Sequence, residues 1–218
     1  MKLNPNKTQK GFSVMELIVS IGIFVFITGI LLANFPSFSS NISLENLVYE
    51  IALSIRESQV YGLSVKAFEG QFTYGYGIHF DNSDQQSFTL FADINDNQKF
   101  DSAIACGLSG SECVEKYNFQ TNDRIEYLCW GLRSALPGDT ESIADIINDP
   151  SKAAVVNSQC NIHSNLDIIF KRPNPEANII GYGLIADQTY ADTEIVAKSP
   201  KGLLKTVIVW STGQISVE

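Results

Sequence analysis

The chain has 218 residues, of which 44% are apolar and 18% charged, and a formal net charge of −9. That composition excludes a disordered chain, and the length suits one core-forming domain carried on a stem. The acidic balance repels phosphate backbones, which disfavours generic nucleic-acid binding and leaves room only for a local basic patch.

Lys2, Lys7 and Lys10 precede a run from Leu17 to Phe35 that contains no charged residue. Such a run meets the roughly 17 to 25 residues that a helix needs to cross a hydrocarbon core. Basic residues ahead of it predict a single pass, with the N-terminus cytoplasmic and everything after it outside. Glu16 stands just inside this segment. A lone carboxylate at membrane depth costs about 2.5 to 3.5 kcal/mol on insertion scales, so it calls for a cationic partner. A secretory signal peptide would have an apolar region of only about 7 to 15 residues and a small-residue cleavage site, and none follows Ala33. A plain signal anchor has no use for the acid.

The order Lys10, Gly11, Phe12, Ser13, Val14, Met15, Glu16 resembles the N-terminus of type IV pilins and type II secretion pseudopilins. The resemblance implies a leader of residues 1–11, cut after Gly11 by the prepilin peptidase, which methylates the new amine of Phe12. It also puts Glu16 at the fifth mature position, where it would pair with the Phe12 amine of a neighbouring subunit during assembly in the inner (cytoplasmic) membrane. Cleavage would take the 15 basic residues to 12 against 24 acids, a mature side-chain charge of about −12. Gly22 and Gly29 lack the Gly-x-x-x-Gly spacing of close helix pairs.

Pro36 to Asn41, PSFSSN, reads as a polar break where proline kinks or interrupts the helix. Beyond it Leu44, Leu47, Val48, Ile51, Ala52 and Ile55 recur at helical steps and predict an amphipathic helix to about Val65. Joined to the stem, Phe12 to Val65 would extend roughly 80 Å at 1.5 Å per residue. The apolar stripe is expected to pack on the head. Ala52 to Phe68, ALSIRESQVYGLSVKAF, resembles the helix end of the GspH/FimT group of minor pseudopilins and minor pilins.

After Gly70 the period changes to that of strands. Phe72 to Phe80 and Ser87 to Ala92 predict a β-hairpin, with Gly75 and Gly77 as strand glycines beside tyrosines and no phosphate loop. Asp93, Asn95, Asn97 and Asp101 then stand at relative positions one, three, five and nine of a calcium loop. Gln98 replaces the glycine at six and Ile104 the glutamate at twelve, which argues against an EF-hand. Two readings stay open: a structural turn held by Asx side chains, which the departures favour and the GspH/FimT resemblance also explains, and a Ca²⁺ site.

Four cysteines, Cys106, Cys113, Cys129 and Cys160, lie in the exported part, where oxidation is expected. Three pairings are open; Cys106 with Cys113 and Cys129 with Cys160 close the shorter loops at least entropic cost. A four-thiolate zinc site lacks any C-x-x-C pair. Arg124 to Trp130 predicts a strand. Asp139 to Gln159 reads as an acidic insertion with a short helix around Ser142 to Ile147. Further strands follow at Asn165 to Phe170, Ile179 to Ala186, Thr193 to Ala197, Leu203 to Trp210 and Gln214 to Val217. The closing hairpin and the prolines Pro173 and Pro175 again resemble the GspH/FimT domain.

The expected fold is α+β: a long N-terminal α-helix, with a transmembrane half and an amphipathic half, packed on a C-terminal antiparallel β-sheet domain. The expected boundaries are 1–11 leader, 12–35 membrane and assembly helix, 36–68 amphipathic continuation and 69–218 β-rich head. His79 and His163 sit in no nucleophile or zinc pattern, so no enzyme is expected and no cofactor is required, Ca²⁺ being the one alternative. Implied partners are other pilins or pseudopilins, the prepilin peptidase and the inner membrane. A DNA-binding tip subunit of natural transformation would, on the resemblance, need an arginine-bearing C-terminal segment, and no arginine follows Arg172.

Overall fold

The computed structural model describes residues 11–64, 66–68, 70, 75–101 and 104–218, and within these all side chains except those of 33–38. The chain divides into two compact units, Met1–Ser39 and Ser40–Glu218. Helix α1 runs Val14–Leu63. The polar stretch at Pro36 to Asn41 therefore does not interrupt it.

Among the described residues of the second unit, the expected alternation becomes ten strands. β1 (Gly75–Asp81), β2 (Ser87–Asp93), β3 (Cys113–Asn118), β5 (Asn165–Phe170), β6 (Ala177–Tyr182) and β7 (Gln188–Tyr190) form one sheet in the order β3-β2-β1-β5-β6-β7. β4 (Arg124–Trp130), β8 (Asp192–Lys198), β9 (Leu204–Trp210) and β10 (Ile215–Val217) form a second, ordered β10-β9-β8-β4. Every pairing is antiparallel. The predicted strand start at Phe72 to Tyr74 lies outside the described residues. The strand expected to reach Ala186 stops at Tyr182, because Gly183 takes a positive φ of 109° and turns the chain. Two edge strands, β3 and β7, were not expected.

The helical stripe finds its place as predicted. Leu44, Leu47, Val48, Ile51 and Ile55 are buried in one cluster with Ile78 and Phe80 of β1, Phe88 and Leu90 of β2, Ile168 and Phe170 of β5, and Leu128, Ile195 and Val207 of the second sheet. One amphipathic helix thus fills the space between two sheets. At its end Gly62 packs against β5, where a Cβ would sit 2.2 Å from the Phe170 carbonyl oxygen. Gln59 Nε2 donates to the carbonyls of Pro175 and Gly213, tying the helix to two turns.

The stretch read as an insertion, Asp139 to Gln159, covers the other face of the second sheet together with a helical turn that precedes it. α2 (Leu132–Ala135), α3 (Ile143–Asn148), a 3-10 turn (Pro150–Lys152) and α4 (Ala153–Gln159) bring Leu132, Ile143, Ile146 and Val156 onto Val196 and Ile208. α3 starts where expected, with Ser142 as its cap accepting the Asp145 N–H. Asn161 continues from this segment with a side-chain oxygen on the Leu128 N–H at 2.9 Å.

Candidate functional site

Two regions carry the residues singled out in the sequence. The first is the N-terminal stem. Val14–Leu32, 19 residues, is long and apolar enough to cross a membrane. Phe12, just ahead of it, is 77% exposed, and within it Phe24 is 70% and Phe26 71% exposed. Exposed apolar surface on this scale is compatible with a lipid or protein contact. Ser13 accepts the N–H groups of Glu16 and Leu17 at its carbonyl, so Glu16 lies in the first turn of α1, where a negative charge meets the positive end of the helix dipole. Gly11 and Phe12 precede the helix and are exposed.

The second region is the loop Ile94–Asp101, which leaves β2 and crosses the outer face of the six-stranded sheet. It is built by its own side chains. Asp93, 1% exposed, accepts the N–H of Asn97 and of Gln98 on its two oxygens, at 3.1 and 2.8 Å. Asn95 Oδ1 accepts the Asn97 N–H and Asn97 Oδ1 the Lys99 N–H, two successive Asx turns. Both amides donate to Asp101 Oδ2, at 2.5 and 3.0 Å. Asp96 and Gln98 take positive φ of 61° and 63°. The four residues with calcium-loop spacing are therefore brought together, and in this arrangement their oxygens serve the loop's own N–H groups. Among the described residues no group of three or more His, Cys, Asp or Glu side chains is placed to hold a metal ion.

Two buried acids that sequence spacing did not single out hold the loop to the sheet. Glu112 accepts the Ile94 N–H on one oxygen and the Asp101 N–H on the other. Asp167 of β5, fully buried, accepts the Phe100 N–H at 2.9 Å and His79 Nδ1 at 2.7 Å. Burial pushes the carboxyls of Asp93 and Glu112 above the usual range; backbone N–H groups pull both back, and neighbouring acids add to the rise. Lys171 pairs with Asp96 and Lys99 with Asp187 at the loop's rim. The sequence signal for Asp167 was present: an acid amid the apolar strand NLDIIF. Gly77 faces Phe91 and not a tyrosine; a Cβ there would stand 2.8 Å from the Phe91 ring, its cross-strand partner.

The cysteines pair as the loop-closure argument favours, Cys106–Cys113 and Cys129–Cys160. The first closes the turn that ends in Glu112. The second ties β4 to the end of α4.

A separate acidic pair lies on β8, where Asp192 and Glu194 share one face and are both fully buried. Glu194 accepts the Arg133 N–H at 2.8 Å and, more weakly, that of Leu132 at 3.4 Å, so it caps α2 from outside. Asp192 takes the Ser134 hydroxyl. Burial, then the Asp192 carboxyl beside it, raises the Glu194 carboxyl well above its ordinary range.

Comparison with known proteins finds no matching family model, no matching curated protein and no matching solved structure.

Proposed function

We propose that this chain is a minor pilin or pseudopilin of the GspH/FimT type: an inner-membrane subunit that is cut after Gly11, methylated on Phe12, and assembled through its N-terminal helix into a type IV pilus or a type II secretion pseudopilus. The observation that carries the reading is the stem itself. A membrane-length apolar helix begins two residues beyond a Gly-Phe junction and keeps one carboxylate, Glu16, in its first turn. An unpaired acid there is unfavourable in lipid, and an ammonium on a neighbouring subunit removes the penalty. The α+β head, with a core of its own, two disulfides and an acidic surface, is the part such a subunit would present outside the membrane.

Shearing filaments from cells tests it. Wild-type chain should appear in the sheared fraction of a strain that expresses it with its own assembly machinery. Glu16→Leu should leave the chain in the membrane and remove it from that fraction. Equal recovery of both would reject assembly through Glu16.

A further inference from the structure

Beside the loop Ile94–Asp101, on the outer face of the six-stranded sheet, lies a cavity of about 230 Å³. Its lining includes His79, whose ring is held from behind by buried Asp167 at 2.7 Å. A carboxylate only accepts, so the Nδ1 proton belongs to that bond, and Nε2 is the ring atom with no hydrogen-bond partner among the described residues. Phe100, set by the Asx turns and by its own N–H on Asp167, forms a wall, its ring 4.8 Å from the imidazole. Tyr182 lies beyond, its hydroxyl 3.5 Å from His79 Nδ1.

The rim decides what fits. Asp84 accepts Lys116 Nζ at 2.9 Å, and Asp81 accepts the Ser83 N–H at 2.8 Å and its hydroxyl at 2.7 Å. The carboxylates are already partnered, so a cation finds none waiting for it, and an anion meets two acids against one lysine. Small-molecule sites generally span about 300 to 1,000 Å³ with a mainly apolar lining, so this smaller, polar cavity does not suit a large apolar ligand. It suits a small neutral group with hydroxyls on its edges and a C–H face for an aromatic wall. Asn165 at the rim supplies both a donor and an acceptor for such edges.

We infer that this cavity binds one pyranose ring, as a free sugar or the end of a glycan, with the ring face on Phe100 and a hydroxyl hydrogen-bonded to His79 Nε2. The inference stands on the head alone and does not depend on how the stem is used.

Saturation-transfer NMR on the full chain in detergent micelles, with methyl glycosides of glucose, galactose, mannose and N-acetylglucosamine as probes, tests it. At least one glycoside should give saturable transfer. His79→Asn keeps an amide donor at the Nδ position for Asp167 but removes Nε2, and Asn165→Ala trims the rim; each should weaken binding by about tenfold, the effect of one lost hydrogen bond. Thermal unfolding of both variants identifies which retains the fold, and weakened binding in a folded variant supports the site. No saturable transfer from any of the four probes, or unchanged affinity in both variants, overturns it.

Discussion

Asp167 Oδ1 meets His79 Nδ1 at 2.7 Å, and its other oxygen holds the Phe100 N–H at 2.9 Å. One buried carboxylate thus joins two strands to the loop that crosses them. Removing it in Asp167→Ala leaves two buried donors unsatisfied, each worth about 1 to 3 kcal/mol. The variant is expected to lose about 2 to 4 kcal/mol in denaturant unfolding, near the upper end of single-residue effects. A loss within the surface range of about ±0.5 kcal/mol would show that the loop does not rest on this residue.

Glu194 gives the head a pH dependence of defined sign. Its carboxyl is raised in the folded state, so folding takes up a proton between the unfolded value, about 4.3, and the raised one. Stability is therefore undiminished below about 4.3, falls as pH rises through that window, and stays reduced above it. Asp93 and Glu112 act in the same direction. Glu194→Gln keeps an acceptor for the Arg133 N–H and offers Asp192 a donor. It should raise stability at pH 7 and flatten the slope. Melting temperatures across pH 4 to 8 check this, and an unchanged slope would contradict it.

The two disulfides should contribute unequally. Cys129 and Cys160 are 31 residues apart and Cys106 and Cys113 only 7. On the chain-entropy account the first is worth about 3 to 4 kcal/mol and the second about 2 to 3. Cys129→Ser/Cys160→Ser should accordingly lower the unfolding midpoint more than Cys106→Ser/Cys113→Ser. Equal effects would mean that strain or residual structure, and not loop length, sets the contributions.

Chelation separates the two readings of the Asp93 to Asp101 loop, and substitution does not. Asp93→Ala removes a buried acceptor from two backbone N–H groups, so it costs about 1 to 3 kcal/mol with or without a cation. With the loop's oxygens turned to its own N–H groups, removing divalent cations with EDTA should leave the melting curve of the full chain unmoved. A fall in melting temperature that added Ca²⁺ restores would establish a calcium loop instead.

Much of this architecture was legible in the residues. The stripe from Leu44 to Ile55 had helical period and became the core face of α1; RIEYLCW and NLDIIF matched β4 and β5 residue for residue. Ser142 signalled the start of α3. β3 was hidden because CVEKYN carries two charges and lies at a sheet edge, where only part of each side chain is buried. β7 is three residues long and also an edge. The role of the segment 132–159 was hidden too, since its apolar residues are spread among short helices that make sense only against the outer face of the second sheet. At the Asx loop the spacing found Asp93, Asn95, Asn97 and Asp101. It missed Glu112 and Asp167, which reach the loop from later strands, a relation that only pairing in three dimensions brings about.

If Gly11-Phe12 is the processing junction proposed above, cleavage there leaves a defined mature N-terminus. Mass spectrometry of the N-terminal peptide, from chain purified out of the membranes of a host with a prepilin peptidase, should find Phe12 first and its amine carrying one methyl group. A chain beginning at Met1, or just after Ala33, would rule out processing at this junction.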